Sequence, residues 1–190
     1  MNDRRPFSLQ VLATLLFAVA LPVAAQPKGP PKPVPVDAKT AYDLAKAAAA
    51  KWQADAVRFG FGNLVTGPVD TEGRSTAWVV KFSSKAAGKT NNVSITNGVV
   101  TTWEMDGSGG RVIPVKAETT WDSKELVRRA DEAGGAAHRA AGAKVTLGLV
   151  ANTVVPGTTR WHVAYQDAKY KELVHVGIEG ETGKLKVLSD

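Results

Sequence analysis

The segment from Thr159 to Leu188, TRWHVAYQDAKYKELVHVGIEGETGKLKVL, alternates apolar and polar residues so regularly that little except an antiparallel sheet accommodates it. Side chains in a strand point to opposite faces in turn, and directly opposed residues share a face. If Asp167 pairs with Glu172 across the loop Ala168 to Lys171, then Trp161 opposes Ile178, Val163 opposes Val176 and Tyr165 opposes Val174, all on one face. His162, Ala164, Gln166, His175, Gly177 and Glu179 fall on the other. A second hairpin, with Glu181 and Thr182 between Gly180 and Gly183, sets Ile178 against Leu185 and Val176 against Val187. The result is a half-buried sheet, apolar on one side and polar on the other.

The same pattern recurs upstream. Thr76 to Ser83 places Trp78, Val80 and Phe82 on one side and Ala77, Val79, Lys81 and Ser83 on the other, and Val57 to Val65 alternates as Val57, Phe59, Phe61 before a Gly67-Pro68 turn. Val93 and Ile95 share a side before Asn97-Gly98 leads into Val99 to Met105. That turn leaves two registers open. A two-residue loop sends Val100, Thr102 and Glu104 inward and makes Trp103 an exposed anchor, whereas a three-residue loop with Gly98 left-handed sends Val99, Thr101, Trp103 and Met105 inward. The second is more apolar and is preferred. Asp37 can cap a helix from Lys39 to about Ala54, with Leu44, Ala48 and Trp52 at four-residue intervals, Ala41, Ala45 and Ala49 beside them, and Trp52 expected in the core. Asp122-Ser123-Lys124-Glu125 has capping-box spacing and opens a helix with Leu126, Val127, Ala130 and Ala137 as its apolar side. Gly134-Gly135 predicts a kink there, or two short helices meeting.

At an offset of 83 residues, Leu64 falls on Leu147, Trp78 on Trp161, Val80 on Val163, Phe82 on Tyr165, Val93 on Val176 and Ile95 on Ile178. These are the inward positions, so the chain reads as two copies of one unit. The expected fold is α+β, with two tandem units, each a helix packed on one face of a four-stranded antiparallel sheet. They span residues 37–106 and 122–190, with a connector over 107–121. The helix-then-strands order, the Trp-x-Val-x-aromatic strands and the turn Gly180-Glu181-Thr182-Gly183-Lys184-Leu185 together resemble the PepSY domain family. The first half departs from the family pattern, having Asn97-Gly98 where an acidic residue precedes Thr-Gly. The resemblance implies a helix laid across a four-stranded sheet and the binding or inhibition of peptidases by exported or envelope proteins. The tandem architecture also looks like that of secreted β-lactamase inhibitor proteins, a likeness that carries no residue over.

Residues 1–25 read as a signal peptide, with a charged start at Asn2 to Arg5, an apolar run from Phe7 to Leu21, and Val23-Ala24-Ala25 before Gln26. The run falls short of the ~20 residues that span a bilayer, so cleavage is expected, leaving a periplasmic or secreted protein with no stable membrane span. Pro6 and Phe7 after Arg4-Arg5 favour the general secretory route over twin-arginine export. Gln26 to Val36, with five prolines, forms an extended tether. The chain has no cysteine, so packing alone stabilises it in an oxidising compartment. Its formal charge of +6 falls to +5 when Asp3, Arg4 and Arg5 leave with the signal. A charge of this size is solubilising, and no basic stripe interleaved with aromatics points to nucleic acid.

The chain carries no His-Glu-x-x-His, Gly-x-Ser-x-Gly, phosphate-binding glycine loop or cysteine nucleophile, so no catalytic residue and no cofactor is assigned. His162 and His175 lie diagonally on the polar face, near enough to share a metal ion with Glu179 or Gln166 as a third donor. Two histidines are too few, and no metal site is assigned. The expected function is a non-catalytic exported module that docks on or inhibits an envelope protein, such as a peptidase, through helix-free sheet faces. Val79, Lys81, Trp103, His162 and His175 are the candidate partner-binding residues. A periplasmic small-molecule or metal-ion carrier and a structural envelope component are the alternatives.

Overall fold

The computed structural model describes residues 32–106, 112–115, 122–151 and 158–189. The expected signal peptide, the start of the expected tether and most of the expected connector lie outside these described residues. In the first half the elements are β1 (Val36–Asp37), α1 (Ala38–Trp52), β2 (Val57–Asn63), β3 (Arg74–Ser75), β4 (Ala77–Ser84), β5 (Lys89–Thr96) and β6 (Val99–Asp106). In the second half they are α2 (Ser123–Ala130), a wide turn at Asp131–Gly135, α3 (Ala136–Ala140), β7 (Lys144–Ala151), β8 (Thr159–Gln166), β9 (Glu172–Glu179) and β10 (Leu185–Ser189).

Two separate four-stranded sheets do not form. The strands join into one eight-stranded antiparallel sheet in the order β10-β9-β8-β7-β2-β4-β5-β6, beside a small β1–β3 pair, so the protein is mostly sheet. The expectation of tandem helix-on-four-strand units is corrected by the pairing of β2 with β7, which sets Gly60 opposite Val150, Phe61 opposite Leu149 and Gly62 opposite Gly148. The physical reason is edge satisfaction. As separate units, β2 and β7 would each end a sheet with a row of unpaired backbone N–H and C=O groups, and pairing removes both edges at once.

On the packed side, Phe61 stacks on Trp78 with centroids 5.1 Å apart and planes 9° apart, and meets Trp161 edge-on at 5.7 Å and 82°. Trp78 is opposite Ile95 and Trp161 opposite Ile178, and all four are buried in a single core. The expected pairs Val163 with Val176, Tyr165 with Val174, Ile178 with Leu185 and Val176 with Val187 are present. Asp167 does not pair with Glu172. A register shift sets Gln166 opposite Glu172, and the Asp167 carboxylate instead accepts from the N–H groups of Lys169 and Lys171 at 2.7 and 2.9 Å.

Asp37 caps α1, its carboxylate accepting from the Thr40 N–H at 2.7 Å. The helix lies across β4, β5 and β6 on its alanines, with Ala41, Ala45 and Ala49 buried. Small side chains bring the helix axis close to the sheet, which rotates the expected Leu44 stripe outward. Leu44 is exposed, and Trp52 is half-buried at the helix end, donating its indole N–H to Glu104 at 2.7 Å. β2 also departs from simple alternation. A bulge at Phe59 turns Arg58 inward, its guanidinium 4.3 Å from the Tyr42 ring centre, and burial lowers its pKa.

The helix break at Gly134-Gly135 has a cause in packing. Gly134 adopts φ 119°, and a Cβ on Gly135 would lie 2.1 Å from the Tyr165 ring, so the chain widens there to let the ring pass. The Tyr165 hydroxyl donates to Asp131 at 2.6 Å, and Arg139 donates to both oxygens of the same carboxylate at 3.2 Å. Burial, and then Asp131, raise the hydroxyl's pKa. The turn rotates Ala137 out of the apolar stripe, and it is exposed.

Because one core serves all eight strands, urea unfolding should show a single transition, with Phe61→Ala costing about 3–5 kcal/mol. Separate transitions for the two halves would contradict it. Gly135→Ala should cost at least about 2 kcal/mol through overpacking, read from the same curves.

Candidate functional site

α1 covers the first half of the sheet, and α2 with its following turn covers β8 and β9. Trp78, Val80, Val93, Leu147, Leu149, Val163 and Val176 join α1 and α2 in one cluster, so these two helices pack on the same side. Among the described residues, no helix packs on the opposite face.

Two rows of directly opposed residues cross this face. One runs Trp103, Asn92, Lys81, Gly60, Val150, Arg160, Glu179, and the next Thr101, Ser94, Val79, Gly62, Gly148, His162, Gly177, Lys186. Val79, Lys81, Trp103, His162 and His175 therefore share one face but form two groups. With strands ~4.8 Å apart, Trp103 is about 10 Å from Lys81, and His162 is about 14 Å from Val79 in the other direction.

The preferred three-residue loop at Asn97-Gly98 is not the one adopted. Asn97 and Gly98 take φ 52° and 79°, giving a two-residue turn that sets Thr96 opposite Val99. This turn matches the right-handed twist of the flanking strands, and Asn-Gly is the pair best able to supply both positive φ angles. Val100, Thr102 and Glu104 consequently face α1, and Trp103 stands on the helix-free face, 44% exposed, with Met105 at 46% and Val99 at 61%. Glu104 is held below its ordinary pKa by Lys89 first and by the Trp52 indole N–H second. Val99 and Met105 belong to this surface, although the apolar count alone places them inward. The stronger signal was the Asn-Gly dipeptide itself. Phe59, also expected inward, lines a trough with Gly60, Val79 and Lys81 on the open face, a consequence of the bulge that alternation does not reveal.

The two histidines are bonded to each other, with His162 Nδ1 and His175 Nε2 2.7 Å apart. Glu172 Oε1 lies 3.3 Å from His175 Nδ1, so that ring nitrogen carries a hydrogen and the pair is anchored to the start of β9. Partial burial first, and then the charges of His175 and Arg160, lower the His162 pKa to about 4. Among the described residues, no group of three or more His, Cys, Asp or Glu is placed to hold a metal ion, and no helix is long and apolar enough to cross a membrane.

Comparison with protein families, with curated proteins and with solved structures finds no match.

His162 has an ordinary pKa of 6.5 and a folded value of about 4, so between these limits the unfolded chain binds a proton that the fold refuses. Its contribution to stability is complete above about pH 6.5 and is lost as pH falls toward 4. The loss, discounted for a partly solvated ring, is on the order of 1–2 kcal/mol. Urea midpoints between pH 4 and 8 should show it, and His162→Gln should flatten that part of the profile. An unchanged slope would contradict the assignment.

Proposed function

We propose that the chain is a non-catalytic exported binding module that docks on an envelope protein, a peptidase being the first candidate, through the helix-free face of its sheet. The observation that carries this reading is the placement of Trp103, half exposed at one end of that face with Val99 and Met105. Large aromatics exposed beside small polar strand residues are the side chains that supply binding energy at protein interfaces. Asn92, opposite Trp103 and itself buried, donates to the Met105 sulfur at 3.7 Å and helps to hold this edge of the surface in place.

Two further features support the reading. The face mixes apolar residues with Lys81, Arg160 and Lys186, which suits recognition of an acidic protein surface. The PepSY resemblance, carried by the Trp-led strands and the turn Gly180 to Lys184, points to peptidases among possible partners. The signal-like first 25 residues support the exported location in this reading.

Mature protein immobilised in an envelope extract should capture a partner that Trp103→Ser and Lys81→Glu each release by about tenfold or more, while Lys46→Glu on the helix side leaves capture unchanged. Trp103→Ser should alter stability by less than about 1 kcal/mol, separating binding from folding. A captured peptidase should be inhibited by the wild type and not by Trp103→Ser. Equal capture by wild type and both face variants would contradict the docking reading.

A further inference from the structure

The middle of the helix-free face is bare. Gly60 and Gly62 on β2 and Gly148 on β7 lie together there, on the strands that join the two halves. They are glycines for different reasons. A Cβ on Gly62 would fall 2.7 Å from the Leu147 carbonyl oxygen, so glycine is required for the strands to approach. At Gly60 a Cβ would make ordinary contact with the Lys81 side chain at 3.5 Å, and at Gly148 it would meet nothing within 4 Å. Gly148 does not have a positive φ. Glycine weakens a strand interior, so a strand glycine without a steric reason of its own marks a place where something else comes close.

What the missing side chains leave is a trough of about 440 Å³, floored by the backbones of β2 and β7 and lined by Phe59, Leu64, Val79, Val150 and Lys81. Four of these five side chains are apolar. The fifth, Lys81, is exposed, its stem lies over Gly60, and its ammonium has no ion-pair partner among the described residues. Arg160 follows on the next strand beyond Val150, and His162, held neutral, stands opposite Gly148. An occupant that satisfies the trough therefore has a bulky apolar part for the floor and a negative group for Lys81.

We propose that the trough seats a bulky apolar side chain of the protein partner, with an adjacent carboxylate paired to Lys81. This deepens, and rests on, the reading of the face as a docking surface. The glycine floor allows the partner's backbone to approach the sheet closely, and the flanking charge selects an acidic neighbour over a basic one.

The test uses ¹⁵N-labelled mature protein titrated with acetyl-Ala-Phe-Glu-Ala-amide and with its Phe-Gln and Phe-Lys counterparts. The Phe-Glu peptide should shift the amide signals of Gly60, Gly62, Gly148 and Lys81 and bind about fivefold or more tighter than Phe-Lys. Lys81→Glu should reverse that order. Gly148→Val should abolish peptide binding while its urea midpoint stays at or above that of the wild type, because a Cβ there meets nothing within 4 Å and a β-branched residue favours a strand. Binding by Gly148→Val equal to wild type, no preference between Phe-Glu and Phe-Lys, no peptide binding at all, or a lowered midpoint in Gly148→Val would each overturn the proposal. If the trough fails while Trp103-dependent capture of an envelope protein persists, only this inference falls. If peptides bind as expected but capture ignores the face variants, the docking reading is the one that fails.

Discussion

Phe61 lies between Trp78 of one half and Trp161 of the other, and this three-ring contact makes two repeated halves into one protein. It sits on β2, the strand where the halves meet, and faces the side that the helices cover. Other contacts reinforce the junction. The Asn63 amide accepts from the Leu147 N–H at 2.5 Å and donates to the Gly67 and Leu64 carbonyls at 2.8 and 3.0 Å, tying the end of β2 to β7 and to its own loop. The Ser123 hydroxyl, at the start of α2, accepts from the Ala38 N–H at 3.1 Å, so the two helix starts are joined as well. Gly62 permits the close strand approach on which all of this depends.

A single core on one side has a consequence for the other side. A sheet eight strands wide, covered by helices on one face, leaves its second face for solvent or for a partner. The two outer strands differ in how they are protected. β10 is short, bears Lys186 and has a register shift near its end, features that discourage pairing with other chains. β6 pairs with β5 without interruption over its whole length and carries Trp103 and Met105 outward. The exposed aromatic and apolar side chains of this face thus gather toward β6 and the central trough, while the bonded histidine pair occupies the far side.

How much of this could be read from residues alone depended on whether the determining contact was local. The hairpins of β8, β9 and β10 were legible because each apolar residue finds its partner across a short loop, and the helix caps at Asp37 and Asp122 were legible because a cap involves only neighbouring residues. The Gly134-Gly135 break was also visible, although its cause, the ring of Tyr165, comes from a distant strand. Two features were not legible, and a third was legible but outweighed by the apolar count. The β2–β7 pairing joins residues far apart in the chain and leaves no local periodicity. The bulge at Phe59 shifts the alternation by one residue, and the Asn97-Gly98 turn follows backbone twist rather than apolar count. Val79, Lys81, His162 and His175 lie on the face that alternation gives them, because the polar side of each strand could be read even where the sheet's extent could not. Trp103 was the exception, named as an anchor only under the register that was not preferred.

A single core requires the halves to share one seam, and amide hydrogen exchange measures that seam directly. Amides from Gly60 to Gly62 and from Gly148 to Val150 should exchange only through global unfolding, as slowly as those around Trp78 and Trp161. Fast exchange at the seam, with slow exchange persisting inside each half, would show two independent units and contradict the single core.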